Sequence, residues 1–443
     1  MFAGNPRSQS LVKRAVDQAL ALLAALLGWV LLVPLAALVP RRKDWIAIIG
    51  RDEGKFVDNA KYFFLQATPA LRPNVRCVFV TERRDVTDML LASGYEAMLY
   101  PRWHSVCFLL RAGTLIADSA EWHLRLRHFL TMRCRRVQLW HGVGYKRIEL
   151  DQWRNEASGR GWKSWRLLRV ARSAKRIFLG RVVRYDLVNT TSAFYRDEVF
   201  KPAFYSAHFT ALGYPRNTFG DLDEAAKAMA WRNVDSEIAG RVHEWLADGR
   251  RIVLVAPTFR DTRASPMGLG VTTLAQLDSW CELQRVELVF KFHPAERRAS
   301  EVAGRHLHLC GPESDLYPLM PLSSALITDY SSIYMDYLLL DKPILFLVPD
   351  LEEYVSKDRQ LQFDFRDMTP GPRASTWHEL VKHADRQWEA DEYIEARGAL
   401  KLKAFDGRPQ EFAVPLLIEF MRDQEWLPKA ATSSINSVTQ ADA

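Results

Sequence analysis

Residues 325–354, ALITDYSSIYMDYLLLDKPILFLVPDLEEY, set an acid and two hydroxyls where an apolar run ends. The run 325–328 stops at Asp329-Tyr330-Ser331-Ser332. A helical pattern opens there and carries Asp336 four residues beyond Ser332. Hydroxyls and unpaired backbone N–H groups at a helix start that follows a strand form an anion site, because the free N–H groups point outward and the helix dipole favours negative charge. Asp336, one turn in, is placed to accept a hydrogen bond from a sugar or glycerol hydroxyl. An ordinary N-capped helix would use the same residue types, so the stretch is weighed together with three others.

The second stretch is Val137-Gln138-Leu139-Trp140-His141-Gly142-Val143-Gly144-Tyr145-Lys146-Arg147. A strand ends at His141, and two glycines then let backbone approach a ligand closely. A histidine at a strand end can take a proton from an attacking hydroxyl near neutral pH. The third is Leu254-Val255-Ala256-Pro257-Thr258-Phe259-Arg260-Asp261. Arg260 is suited to clamp a phosphate and Thr258 to donate to one; a loop ion pair between Arg260 and Asp261 is the plainer alternative. The fourth is Leu288-Val289-Phe290-Lys291-Phe292-His293-Pro294. Lys291 and His293 share a strand face by the period of two, and a protonated His293 would stabilise charge on a departing phosphate. Arg216, in Gly213-Tyr214-Pro215-Arg216-Asn217, lies near a domain junction, from which it can reach a cleft.

These residues need elements to hold them. Apolar segments at 45–49, 75–80, 106–110, 115–117, 136–140 and 187–190 read as strands of a first α/β domain. Segments at 252–256, 287–292, 307–309, 325–328 and 344–348 read as strands of a second. A long helix over 221–247 and further helices over 376–427 complete the pattern. The expected division is 1–44 membrane anchor, 45–212 first Rossmann-like domain, 213–429 second Rossmann-like domain with C-terminal helices, and 430–443 disordered tail. In two such domains, ligands sit at the carboxyl ends of the strands.

The bulk numbers agree with this organisation. The chain has 443 residues, 48% of them apolar, and 14 tryptophans, enough for two cores. Its net charge of +7 suits anionic partners without choosing among them. Five scattered cysteines with no CxxC pair indicate neither a zinc site nor a disulfide framework. His306 and His308 lack a third spaced ligand, so no metal site is assigned. Residues 19–39 carry no charge and would form a helix about 30 Å long, the thickness of a bilayer core. Arg41-Arg42-Lys43 follow at once, which favours a membrane-inserted helix or hairpin with a cytoplasmic catalytic body. The basic, tryptophan-containing stretch 153–181 suits a membrane interface or a polyanion, as it would a solvated helix.

Taken together, WHG…K, APTFRD, KFHP and ITDYSSIYMDYLLLDKPILFLVPDLEEY resemble the CDP-glycerol glycerophosphotransferase family, the polymerases and primases of teichoic acids and capsule polymers. The resemblance runs from about residue 137 to about 365. It implies a GT-B-like pair of Rossmann domains, the second holding the nucleotide. It implies transfer of glycerol phosphate from CDP-glycerol to a hydroxyl of a membrane lipid-linked acceptor, with release of CMP. It implies that His141 is the base on the acceptor, that Gly142, Val143, Gly144 and Tyr145 contact the donor, and that Arg216 meets the donor phosphates. Thr258 and Phe259 would line the cytidine or phosphate pocket, and Lys291, Phe292 and His293 would sit at the leaving group. Ser331 and Ser332 would bind the pyrophosphate, and Asp336 the glycerol moiety. No cofactor is implied, no divalent metal is indicated, no nucleic acid is expected, and the oligomeric state is open.

Two departures bear on specificity. The family often shows HGTPLK where this chain has His141-Gly142-Val143-Gly144-Tyr145-Lys146, so donor identity among CDP-polyols (glycerol, ribitol or another) is left open. Lys291 stands where RxHP is common, which keeps the charge and loses the guanidinium fork. A GT-B glycosyltransferase using a sugar nucleotide, and a non-enzymatic basic module binding lipid or nucleic acid, are the alternatives.

Overall fold

A computed structural model of the chain describes residues 11–158, 173–218, 222–258, 269–292, 302–354 and 361–429. Two parallel sheets form its centre. The first comprises β1 (Arg42–Ile49), β2 (Arg76–Thr81), β3 (Ala97–Leu99), β4 (Ala112–Ala117), β5 (Arg135–Gln138), β6 (Arg184–Asn189) and β7 (Tyr205–Thr210). Their order is β3-β2-β1-β4-β5-β6-β7. The second comprises β8 (Arg251–Val255), β9 (Val286–Phe290), β10 (Leu307–Leu309), β11 (Ala325–Thr328), β12 (Ile344–Leu347) and β13 (Arg373–Ala374), in the order β10-β9-β8-β11-β12-β13. Both orders reverse direction between the first and fourth strands, so each sheet opens a crevice there. In the first sheet that is between β1 and β4, in the second between β8 and β11. The central strands are mostly apolar, and every residue of β4, β9 and β11 is buried, as strands covered by helices on both faces must be; the one charge among them, Glu287 of β9, is paired.

The chain returns to its beginning. Helix Ala413–Asp423 joins the apolar cluster of the first sheet through Val414, Leu417, Ile418 and Met421. His208 of β7 meets the rings of Phe420 and Trp426 at 5.5 and 6.1 Å. At about 1.5–3 kcal/mol per buried aliphatic side chain, this helix ties the C-terminal end to the first sheet.

Residues 106–110, expected as a strand, lie in helix Trp103–Arg111. A five-residue apolar run reads equally as buried helix, and Ser105 Oγ, which accepts from Arg102 N at 3.0 Å, starts the helix. The single helix expected over 221–247 is two, Glu224–Trp231 and Ser236–Ala247. Asp235 divides them by capping the second, accepting from Glu237 N at 3.0 Å. The strand expected over 287–292 stops at Phe290. Strands β3, β7 and β13 were not expected: β3 and β13 are very short, and β7 is a polar edge strand.

The apolar N-terminal segment is helical from Leu11 to Leu38, through a π-turn at Gly28–Leu32. Val16–Leu38, 23 residues, is long and apolar enough to cross a membrane, and its most apolar window is only 17% buried. The helix is not a free tether. Gly28 packs so closely on the Phe129 ring that a side chain there would clash, and Trp29 Nε1 donates to Phe178 O at 2.8 Å. Arg41 donates to Leu109 O and Leu130 O at 2.7 and 2.9 Å. The face carrying Leu20, Leu23, Val30 and Leu31 remains exposed.

Candidate active site

The carboxyl ends of β1, β4 and β5 face those of β8 and β11 across the cleft. Just past β5, Trp140 adopts φ +55, a conformation costly for a bulky residue. Two hydrogen bonds hold it: Trp140 N donates to Gln138 Oε1 at 2.8 Å, and Asn59 Nδ2 donates to Trp140 O at 2.8 Å. The turn aims His141 into the cleft. His141 Nδ1 lies 2.9 Å from the backbone carbonyl of Asp118, directly after β4. A carbonyl only accepts, so Nδ1 carries the proton and the Nε2 lone pair is left to accept one. Burial pushes the His141 imidazole down to about 4, with the Arg51 guanidinium adding to it and the Asp58 carboxylate opposing. At neutral pH the ring is therefore uncharged, the state a base requires.

Gly142, at φ +151, brings the two halves together. A Cβ there would lie 3.3 Å from Ser332 Oγ and 3.4 Å from Arg216 Nη2. Val143 and Tyr145 are buried, Tyr145 among the rings of Tyr334 and Phe365 at 6.0 and 6.1 Å. The backbone of Tyr145 accepts from Gln362 N at 2.6 Å, and Lys146 bridges Leu361. The loop from His141 to Lys146 is thus clamped between the sheets.

Arg216, expected at the donor phosphates, instead occupies the junction almost fully buried, its guanidinium taken up by protein acceptors. Its guanidinium donates to the carboxylates of Asp58 and Asp336, and Nη1 also donates to His141 O at 2.9 Å. Asp336, expected to hold a substrate hydroxyl, accepts from Arg216 and from Tyr317 Oη, the latter at 2.6 Å. Burial raises the Asp336 carboxyl, with Arg216 opposing.

On the second sheet, Thr258 N donates to Asp329 Oδ1 at 2.7 Å, and the Thr258 hydroxyl is buried with no hydrogen-bond partner among the described residues. Asp118 and Asp329 hold matching places, each directly after the strand beyond its sheet's switch point. Ser331 and Ser332 are half-buried at the start of Ile333–Tyr337. That helix is only five residues long, so its dipole is weak; hydroxyls and N–H groups are what the turn offers an anion. Lys291 donates to Pro312 O at 2.6 Å, and Phe292 turns into the second core beside Phe290. Phe259, Arg260 and His293 lie outside the described residues.

Sequence reasoning did not single out Asp58, Asn59, Asp118 or Tyr317. The apolar strand 115–117 followed by Asp118-Ser119 repeats the pattern at Asp329 and was a signal for the third of these. His306 and His308 both pair with Glu287, at 3.1 and 2.5 Å. Among the described residues no group of His, Cys, Asp or Glu is arranged to hold a metal ion. A cavity of about 250 Å³ is lined by Tyr62, Arg216, Trp231, His243, Tyr317 and Leu322. It shares Arg216 with the site, while His141 and Ser332 are not among its walls.

A family model described as CDP-Glycerol:Poly(glycerophosphate) glycerophosphotransferase matches residues 31–408. A teichoic acid poly(glycerol phosphate) polymerase of Bacillus spizizenii is 28% identical over 268 residues, which are 58% of this chain and 63% of the relative. Its counterpart in Bacillus subtilis is 28% identical over 271 residues, 58% of this chain and 33% of that protein. The chain therefore spans less than two thirds of the length of these relatives. The structure of the wall teichoic acid polymerase TagF superposes with a TM-score of 0.65 at 18% identity, covering 92% of this chain and 98% of that one. It shares the two-sheet, GT-B-like fold.

Proposed function

The chain belongs to the CDP-glycerol:poly(glycerophosphate) glycerophosphotransferase family, and from that premise we propose that it moves glycerol phosphate from CDP-glycerol to a hydroxyl of a membrane lipid-linked acceptor in synthesis of a teichoic-acid-like or capsular polymer. The observation that carries this reading is the tautomer of His141. Its Nδ1–H is committed to the Asp118 carbonyl, which leaves its uncharged Nε2 to accept a proton, and the next residue, Gly142, lies against Ser332 and Arg216.

In this reading the acceptor hydroxyl gives its proton to His141 Nε2 as its oxygen bonds to the β-phosphorus. The phosphoanhydride bond breaks in line, and its electron pair leaves with CMP. Gly142, Val143, Gly144 and Tyr145 shape the donor side, and Thr258 with Phe259 and Arg260 the nucleotide side. Ser331 and Ser332 donate to the pyrophosphate, and Lys291 and His293 serve the leaving group; Phe292, expected there too, is packed in the core beside Phe290. Arg216 and Asp336 act as one paired unit, with Arg216 anchoring the His141 carbonyl. Positioning and electrostatics supply most of the rate in such chemistry. The N-terminal helix seats the catalytic body on the cytoplasmic face of the membrane, where the exposed Arg42 and Lys43 meet anionic headgroups while Arg41 ties the helix to the carbonyls of Leu109 and Leu130.

The test is CMP release by detergent-solubilised protein given CDP-glycerol, CDP-ribitol or UDP-glucose with a membrane extract as acceptor. CMP from a CDP-polyol supports the reading and names the donor. UDP release with both CDP-polyols inert replaces it with a glycosyltransferase.

A further inference from the structure

The contacts around His141 converge on Asp58. This residue opens helix Asp58–Leu71 at φ +64, a left-handed conformation that Asp tolerates better than most side chains. Its buried carboxylate accepts from Arg216, from Arg51 Nη1 at 3.4 Å and from Asn59 N at 2.9 Å. Arg216 Nη1 in turn donates to His141 O at 2.9 Å, and Asn59 Nδ2 donates to Trp140 O at 2.8 Å. Asn59 Oδ1 accepts from Arg216 N at 3.2 Å, and Ala60 N donates to Asp118 Oδ2 at 3.0 Å. One helix start thereby holds the two consecutive carbonyl groups of Trp140 and His141, and also the residue whose carbonyl fixes His141 Nδ1.

We propose that Asp58 is the positioning residue of His141: through Arg216 and Asn59 it fixes the peptide that carries the imidazole, and its carboxylate offsets the two guanidinium groups beside that ring. The proposal rests on His141 as the proton acceptor. The charged groups that face the ring or sit directly behind it are Arg51 after β1, Asp58 on its helix, Asp118 after β4, Arg216 in the turn Pro215–Thr218, and Asp336 behind Arg216. Burial works to raise the Asp58 carboxyl, and Arg216 and Arg51 outweigh it, so Asp58 stays ionised. The Asp118 carboxyl is held well above the usual range by burial and then by Asp58, so Asp58 is the anion that His141 senses. Without Asp58 the ring would face Arg51 and Arg216 with no offsetting carboxylate of its own domain.

The test uses Asp58→Asn and Arg51→Gln in the full chain. Asn keeps the shape and suits positive φ, and Arg51 is partly exposed, so its loss is tolerated by the fold. The titration of His141 is followed by histidine-selective NMR, its signal identified by its loss in His141→Gln. Asp58→Asn moves the midpoint down and Arg51→Gln moves it up, each by roughly half a pH unit or more. In the CMP-release assay, Asp58→Asn lowers kcat about tenfold or more without raising the donor KM, and the acid limb of kcat/KM moves with the midpoint. Unmoved midpoints, or shifts of the same sign, would overturn the proposal. If Asp58→Asn does not fold, Arg51→Gln alone decides by the sign of its shift. The titration needs no turnover, so opposite shifts in a chain inert toward every CDP-polyol would retire the proposed reaction and leave the electrostatic coupling standing.

Discussion

Lys61 Nζ lies 2.7 Å from Asp315 Oδ2 with both side chains out of reach of solvent, one from the helix after β1 and the other from the loop after β10. Lys61 also donates to Ala230 O at 2.8 Å. Around this buried contact lie two exposed ones, Lys55–Glu313 at 3.2 Å and Arg83–Glu313 at 3.1 Å. The two sheets are therefore locked beside the cleft by one loop, residues 313–315, gripped from the first domain.

Removing one member of the buried pair strands the other charge. Lys61→Met should lower unfolding stability by about 3–5 kcal/mol, and the double change Lys61→Met with Asp315→Leu should recover most of it. Glu313→Gln, which loses only exposed pairs, should cost less than about 1 kcal/mol. Urea denaturation of the three variants measures all of these.

The histidines give stability a pH dependence of definite sign. Burial pushes His123 and His141 down to about 4 and His128 to about 3. Between those values and about 6.5, their usual value, the unfolded chain binds protons that the folded chain does not. Stability should be fully present above about pH 6.5 and fall as pH drops toward 4. Thermal unfolding across pH 7.5 to 4.5 should show this, and His128→Gln should flatten it if the variant keeps its fold.

Gly142 tolerates no side chain without cost. Gly142→Ala puts a Cβ against Ser332 Oγ and Arg216 Nη2 and forces an alanine to φ +151. The strain is about 1–3 kcal/mol, and it falls on the peptide that aims His141. Turnover should drop about tenfold to a hundredfold. Adding Ser332→Gly should not restore it, because the backbone strain remains. Steady-state kinetics of the single and double variants check this.

Much of this arrangement was legible in the sequence. Parallel strands buried on both faces are largely continuous apolar runs, so 325–328 was placed to the residue. The ends of the runs 136–140, 252–256 and 325–328 pointed to His141, Thr258 and Ser331, which the fold sets just past β5, β8 and β11. What stayed hidden was set by contacts distant in sequence. Asp58 and Arg216 meet across 158 positions, and nothing local to either announces the other. Asp336 looked like a ligand for a hydroxyl because its spacing from Ser332 is right; only the fold brings Arg216 and Tyr317 to it. The run 106–110 was mistaken because five apolar residues carry no period.

The exposed face of the N-terminal helix should decide membrane binding. Leu20→Lys with Leu23→Lys places two charges on side chains that are 59% and 54% exposed, away from Phe129. Co-sedimentation with phosphatidylglycerol vesicles should fall at least tenfold while the melting temperature stays within a few degrees. Unchanged co-sedimentation would assign membrane binding to another surface.

The most direct test of the account is His141→Ala, measured for both CMP release from CDP-glycerol and calorimetric binding of that donor. The account predicts turnover reduced by about a thousandfold or more, in line with loss of a general base on an already positioned acceptor, with the donor dissociation constant within about threefold of the unaltered protein. Near-normal turnover in the variant would contradict it, since the proton of the acceptor hydroxyl would then go to a group other than His141.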